Sequence, residues 1–241
     1  MPQLIGNEHI ANRILLTLPP AALRQLLPHF KRVTFGHGDT VYRPGDIVRE
    51  IYFINRGLLS LVKTMRDGRT VEVNTRGAEG ITAPASLFGF EPTILECVVQ
   101  IPMSAFSIRA NILRRAMVKN RTLSALILGF THLASEQLAQ TAACNRLHSL
   151  EQRCCRRLLI AHDSARSDTF SLTHEFLAAM LGVRRPQISI AAGILQKAGC
   201  IRYGRGQVTV TDRARLEARA CECYEFIRRQ IDHVFAPTRR L

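Results

Sequence analysis

The chain has 241 residues, enough for two modest domains with a core each. Its 33 lysines and arginines against 19 acidic residues leave a formal net charge of +14, which points to a polyanionic partner. No apolar run approaches the ~20 residues that span a bilayer, so nucleic acid fits that charge better than a membrane.

With no tryptophan and four tyrosines, the chain lacks the aromatic platforms of single-strand binders. The opening MPQLIGNEHIANRILL has none of the basic, apolar and small-residue zones of a signal peptide, and a cytoplasmic protein is expected. Seven cysteines, with Cys154 and Cys155 adjacent and Cys221 and Cys223 one residue apart, suggest no paired disulfide framework.

Residues 12–30 read as helical, with Leu15, Leu16, Leu18, Leu23, Leu26 and Leu27 apolar and Pro19-Pro20 breaking the run before a second short helix. From Arg32 to about Ile108 the pattern changes to short β-prone runs: Val33–Phe35, Thr40–Tyr42, Ile51–Ile54, Leu58–Val62, Thr70–Asn74 and Glu96–Ile101. Turn-forming residues at Gly36–Asp39, Arg43–Asp46, Asn55–Gly57 and Arg66–Arg69 separate them. Such spacing argues for a small antiparallel barrel or roll.

Residues 112–147 return to helical character. Leu123, Leu126, Phe130, Leu133, Gln137, Gln140, Cys144 and Leu147 alternate at three and four residues, a heptad seam whose second half turns polar. Either this helix lies on its own barrel, or it pairs with a second copy through Leu123, Leu126, Phe130 and Leu133.

His148–Asp163 reads as a helix with Leu150, Leu158, Leu159 and Ile160 for burial and Arg153, Arg156 and Arg157 outward. Among those arginines, Cys154 and Cys155 are candidates for redox-active thiols, because neighbouring cations lower a thiol pKa. A polar loop, Asp163–Asp168, leads to the next unit.

From Leu172 to Gly199 the chain spells two short amphipathic helices joined at a glycine. In the first, Leu172, Phe176, Leu177, Met180 and Leu181 share a face, Thr173 is placed to cap, and Gly182 is placed to end the helix in the left-handed conformation. In the second, Pro186 suits the first turn and Ile188, Ala191, Ala192, Ile194 and Leu195 form a buried side. Arg184, Arg185, Gln187, Ser189 and Ile190 remain outward. Guanidinium forks, an amide and a hydroxyl are the groups that read base edges in a major groove, and a helix-turn-helix docks by its second helix.

Cys200–Tyr203 and Gln207–Val210 flank Gly204-Arg205-Gly206, a hairpin that after a helix-turn-helix makes a wing whose Arg202 and Arg205 reach phosphate. Asp212–Asp232 reads as one charged amphipathic helix packing back on this reader domain, and Pro237–Leu241 is expected to fray. Cys221 and Cys223 have no companion His or Cys at zinc-finger spacing, so they read as surface helix and no metal is expected. No Walker loop, nucleophile elbow or carboxylate pair occurs, which argues against an enzyme.

The order of glycine-punctuated roll, long helix and winged helix-turn-helix resembles the Crp/Fnr family of bacterial transcription regulators over nearly the whole chain. The roll carries the resemblance at Gly38-Asp39, Pro44-Gly45-Asp46 and Ile51–Gly57, and the C-terminal unit carries it without gaps from Thr173 through Ile201. The resemblance implies an α+β fold: a cyclic-nucleotide-binding-like sensor with flanking helices over 1–111, a long dimerisation helix over 112–147, and a winged helix-turn-helix over 148–241. It puts the base-touching positions on Arg185, Pro186 and Ile190 and phosphate contacts on Thr173, with His174 beside it. Only Arg185 keeps the commonest family residue type, so an atypical operator is expected.

The resemblance also marks where a cyclic nucleotide would bind, and the chain departs from the pattern there. The segment that holds the ribose reads Ala83-Pro84-Ala85 before Ser86, and the segment that opposes the phosphate reads Ile94-Leu95-Glu96. An arginine is missing and a carboxylate is nearby, so a buried phosphate would lose a charge-assisted contact of roughly 1.5–3 kcal/mol. Control by cyclic AMP or cyclic GMP is not expected. The family's iron–sulfur cluster is not expected either, since no cysteine precedes Cys97.

The expected partners are a pseudo-palindromic double-stranded operator, a second copy of the chain and RNA polymerase; no cofactor is expected and the small-molecule effector is left open. Alternatives are a sensor gating DNA binding through the degenerate pocket or the Cys154 and Cys155 thiols, a small-molecule receptor that does not read DNA, and a nonspecific nucleoid-type binder suggested by the charge alone.

Overall fold

The structure is a computed structural model that describes residues 4–5 and 8–236; the expected fray at 237–241 lies outside the described residues. The strand pair β1 (Leu4–Ile5) and β2 (Glu8–His9) precedes short helices α1 (Arg13–Thr17) and α2 (Pro20–Leu26). Asn12 caps α1 by accepting from Leu15 N at 3.2 Å, and Pro20 opens α2 where its missing N–H costs nothing.

The roll consists of β3 (Lys31–Phe35), β4 (Thr40–Tyr42), β5 (Glu50–Thr64), β6 (Thr70–Arg76) and β7 (Glu96–Arg109). Its order is β3-β7-β5-β6, with β4 also pairing β7, and the pairings are antiparallel. The turn expected at Asn55–Gly57 is a set of bulges inside one long strand, because the register against β7 shifts there while pairing continues. Gly57 has φ 92, and a Cβ on it would sit 2.4 Å from the Pro102 carbonyl oxygen. The buried Asn55 then ties the bulge to the N-terminal segment, accepting from Ala11 N at 2.6 Å.

The helical stretch expected as one element is two, α3 (Ala110–Lys119) and α4 (Arg121–Leu147). Asn120 separates them, its side chain accepting from Leu123 N at 2.9 Å as the cap of α4. The dimer seam expected at Leu123, Leu126, Phe130 and Leu133 is corrected: all four are buried within their own chain, in the core that α4 shares with the roll. A Cβ on Gly80 would lie 2.0 Å from the Phe130 ring, which shows how closely the roll abuts this helix.

The C-terminal half begins with α5 (Leu150–Ala165), opened by a Ser149–Gln152 capping box. Its arginines correct the outward expectation: Arg153, Arg156 and Arg157 are buried, Arg157 against the roll and Arg153 donating to the Leu181 carbonyl at 2.6 Å. Arg157 pairs with Glu72 of β6, also donates to Gln100, and reaches Ser60 Oγ at 3.3 Å. Leu58 and Ile101 of the roll belong to the same apolar cluster as α5.

Next come β8 (Thr169–Ser171), a strand the sequence reading did not include, α6 (His174–Leu181), α7 (Arg185–Lys197), β9 (Ile201–Gly204) and β10 (Gln207–Val210). The sheet order is β8-β10-β9. The single helix expected over Asp212–Asp232 is divided into α8 (Arg213–Arg219) and α9 (Cys223–Val234) by an extended backbone at Ala220.

Tyr224, near the start of α9, packs in the reader core, but the rest of that helix runs along α4 rather than back over the reader. A Cβ on Gly129 of α4 would lie 3.4 Å from Val234, and Val234 and Phe235 join the core of the roll. Asp232 pairs with Arg13 at 3.0 Å. Cys221 and Cys223, expected on a surface helix, are buried against Cys144.

Candidate nucleic-acid interface

Local chemistry sets the helix-turn-helix as expected. Thr173 Oγ1 accepts from Phe176 N at 3.1 Å and starts α6, while Gly182 ends it at φ 65 with its N–H donating to the Ala178 and Ala179 carbonyls. Leu172, Leu177, Met180 and Leu181 are buried with Ile188, Ala191 and Leu195 of α7, and Val183 packs at the corner.

The outward positions of α7 lie on its N-terminal turns. Arg184 caps the helix through its backbone, and Arg184, Arg185, Gln187, Ser189 and Ile190 are all exposed, as is Pro186. Three of these side chains already have partners. Arg185 Nε pairs with Glu175 at 2.7 Å, Gln187 Oε1 accepts from Arg184 N at 3.0 Å, and Ser189 Oγ meets His174 Nδ1 at 3.0 Å. Reading bases with Arg185 or Gln187 therefore requires exchanging an internal contact for an intermolecular one.

Ile194 departs from the expected buried side: it is 42% exposed, one turn beyond Ile190 at 66%. The two form an apolar strip suited to thymine methyl groups. Helical periodicity alone could not separate Ile194 from the core, because it lies at the edge of the buried arc.

His174 is also corrected. Its ring lies 4.3 Å from Tyr203, its Nδ1 is engaged by Ser189, and its Nε2 is buried, so it offers no free atom to a phosphate. Burial, and after it the charge of Arg185, pushes its pKa down. Thr173 remains exposed at the mouth of the motif.

The wing is a tight hairpin. Gln207 pairs with Gly204, which leaves a two-residue tip of Arg205 (φ 50) and Gly206 (φ 75), the geometry that matches strand twist. Arg202 and Arg205 are exposed on it. Tyr203 locks the wing to the helices, its hydroxyl donating to the Leu172 carbonyl and its N–H to Gln196 Oε1 at 2.8 Å.

Residues 152–219 match the Crp-like helix-turn-helix domain, and residues 32–120 match the cyclic nucleotide-binding domain. The chain belongs to the Crp/Fnr family. It is a DNA-binding transcription regulator of that type.

The chain is 22% identical over 216 residues to the global nitrogen regulator of Synechococcus elongatus, covering 86% of this chain and 95% of the relative. It is 24% identical over 208 residues to the CRP-like cAMP-activated global transcriptional regulator of Mycobacterium tuberculosis, covering 83% and 93%. These relatives are transcription regulators, not enzymes.

In fold, the chain is similar to a CRP-family regulator from Thermus thermophilus, with TM-score 0.67 at 20% identity over 78% of this chain and 96% of the other. FixK2 from Bradyrhizobium japonicum gives 0.65 at 16%, over 80% and 98%. No described helix is long and apolar enough to cross a membrane.

The sensor segments of this Crp/Fnr chain are also placed. Pro84–Phe88 is a short 3₁₀ turn entered from Ala83 at φ 41, with Ser86 buried and Ala85 exposed. Ile94 does not wall a pocket: it is 68% exposed, with Leu95 and Glu96 half-buried at the start of β7. Arg76 is the cation that the sequence reading missed. It is buried on β6, stacks 5.4 Å from the Phe130 ring and donates to Gln137 Oε1 at 3.3 Å. The two-residue spacing of a strand was the available signal, since it puts Arg76 on one face with Asn74, and these two are the buried residues of β6.

Cys154 and Cys155 are corrected as redox candidates. They are 2% and 0% exposed, and burial pushes both thiols up to about 12. The thiolate needed for oxidation is disfavoured at neutral pH.

Proposed function

We propose that this regulator binds a pseudo-palindromic duplex as a homodimer and is not controlled by a cyclic nucleotide or an iron–sulfur cluster. The observation that carries the reading is the solvent-facing first turn of α7, with Arg184, Arg185 and Gln187 beside an arginine-tipped wing. In this reading Arg184, Arg185, Gln187, Ser189 and Ile190 meet base edges, while Thr173, Arg202 and Arg205 hold phosphates.

Dimerisation uses the opposite face of α4 from the one first expected. Leu128, His132, Ser135, Ala139 and Ala142 are exposed and recur at four and three residues, a second heptad stripe that the chain itself leaves uncovered. Two recognition helices on a dimer then meet half-sites one helical turn apart. Effector binding biases the relative placement of the two reader domains through α4 and the α5 contact with the roll.

Against cyclic nucleotide stand the absence of a cation at Ile94-Leu95-Glu96 and the exposure of Ile94. The relative from Mycobacterium tuberculosis is named as cAMP-activated, and the departure at these positions is the reason that property is not transferred. RNA polymerase is a further partner in this reading.

Arg185→Ala tests the proposal in fluorescence anisotropy against an operator selected from genomic fragments. Specific affinity should fall about 10- to 100-fold with nonspecific affinity little changed. Unchanged specific affinity would overturn the recognition-helix assignment. A wild-type preference for the selected site below about 10³ over random duplex would favour a nucleoid-type binder instead.

A further inference from the structure

Four donor groups converge where the long helix, the start of the DNA-binding half and the last helix meet. Cys144 and His148 lie one helical turn apart at the end of α4, and Cys221 and Cys223 bracket the corner between α8 and α9. Their ligand atoms all lie within 4.8 Å of one another, and the three cysteines are buried. Cys144 Sγ is 3.6 Å from Cys221 Sγ, and His148 Nδ1 is 3.6 Å from Cys223 Sγ. Tetrahedral bonds of about 2.3 Å to sulfur and about 2.0 Å to nitrogen set donor–donor edges of about 3.5–3.8 Å. These two edges match that figure, and the remaining donor pairs lie within 4.8 Å.

The surroundings of the four groups are those of a metal's outer shell. His148 turns its Nε2 to the Glu222 carboxylate at 3.2 Å, which leaves Nδ1 as the atom facing the thiols. Gln140 Nε2 donates to Cys223 Sγ at 2.9 Å, the kind of contact that steadies a coordinating sulfur. Arg153 and Arg156 place positive charge beside Cys144 from the first turns of α5. Arg156 is buried, its Nε and Nη1 have no partner, and among the described residues it forms no ion pair. Three thiolates around one divalent ion carry a net negative charge, and Arg156 is its electrostatic complement.

We propose that Cys144, His148, Cys221 and Cys223 form a closed tetrahedral site for zinc that clasps the long helix to the DNA-binding half. Binding replaces the three thiol protons with one divalent ion and is neither a redox nor a group-transfer step. Three sulfurs and one imidazole select zinc over magnesium or calcium, which take oxygen ligands. With every position filled by protein, no site remains for a reacting water, so the metal is structural. The donors converge on a single point, which leaves no room among them for the several irons and bridging sulfides of a cluster.

The test uses the full chain purified under reductant, with metal content measured by inductively coupled plasma mass spectrometry and cobalt(II) exchanged in as an optical probe. Wild type should carry about one zinc per chain, and its cobalt form should display the intense visible absorption of a tetrahedral thiolate site. Cys223→Ser should abolish the stoichiometric uptake, while Cys200→Ser, at a cysteine outside the cluster, should retain it. Because losing a ligand can unfold the corner, His148→Cys is the second variant: it keeps four ligands, so zinc should remain while the cobalt spectrum shifts. Zinc uptake by wild type no greater than that of Cys223→Ser would overturn the proposal. So would an unchanged cobalt spectrum in His148→Cys.

Discussion

Arg157 on α5 and Glu72 on β6 form an ion pair that joins the DNA-binding half to the β-roll, with side chains 3% and 10% exposed. Burial pushes the Glu72 carboxyl up and the Arg157 guanidinium down to about 10, so desolvation opposes the attraction between them. Each charge is tolerable because the other is present.

Arg157→Met or Glu72→Leu alone should therefore cost about 3–5 kcal/mol of stability, because either leaves an uncompensated buried partner. The double variant Arg157→Met with Glu72→Leu should recover most of that loss. Guanidinium unfolding of both singles and the double gives the coupling energy, and additive losses would show that the pair is not coupled.

The second prediction concerns pH. His174 is held below its ordinary value by burial and then by Arg185, so the fold favours the neutral ring. A base whose folded pKa is depressed contributes stability that is complete above its unfolded value of about 6.5 and is lost as pH falls through the folded value. The melting temperature should drop between about pH 7 and pH 5, and His174→Gln should drop less over the same interval. Parallel pH profiles for the two proteins would refute the assignment.

The exposed strip of Ile190 and Ile194 makes a prediction about bases. A thymine methyl buried against either side chain is worth about 0.8 kcal/mol, roughly fourfold in affinity. Replacing operator thymines with deoxyuridine, one position at a time, should weaken wild-type binding by that factor at one or two positions. The penalty should disappear in Ile190→Ala or Ile194→Ala at the position each side chain covers. If no thymine position shows it, the strip does not read the major groove.

How much of this was legible in the sequence follows the range of each interaction. The helix-turn-helix was readable because Thr173, Gly182 and Pro186 act within a few residues, and the wing because Arg205-Gly206 closes its own hairpin. The burial of Arg157 was not, since a helical period cannot reveal that the facing surface offers Glu72 and Gln100. Cys144 and Cys221 stand 77 residues apart, and only the packing of α9 along α4 brings them together. Asn120 was readable in principle as a cap, but the apolar periodicity continues on both sides and concealed the break.

The helix α4 carries two heptad stripes, and choosing between them is the last prediction. Phe130 lies on the stripe covered by the roll and is fully buried, so Phe130→Ala should cost about 3–5 kcal/mol and leave the association state unchanged. Leu128, 53% exposed, and Ala139 lie on the uncovered stripe, where a carboxylate would face its own copy across a dimer seam. Leu128→Glu or Ala139→Glu should give monomers in sedimentation velocity with little change in chain stability, and should weaken operator binding because two half-sites are no longer held together. If Phe130→Ala dissociates the dimer while Ala139→Glu does not, the association surface lies on the covered face, and α4 must leave the roll to reach it.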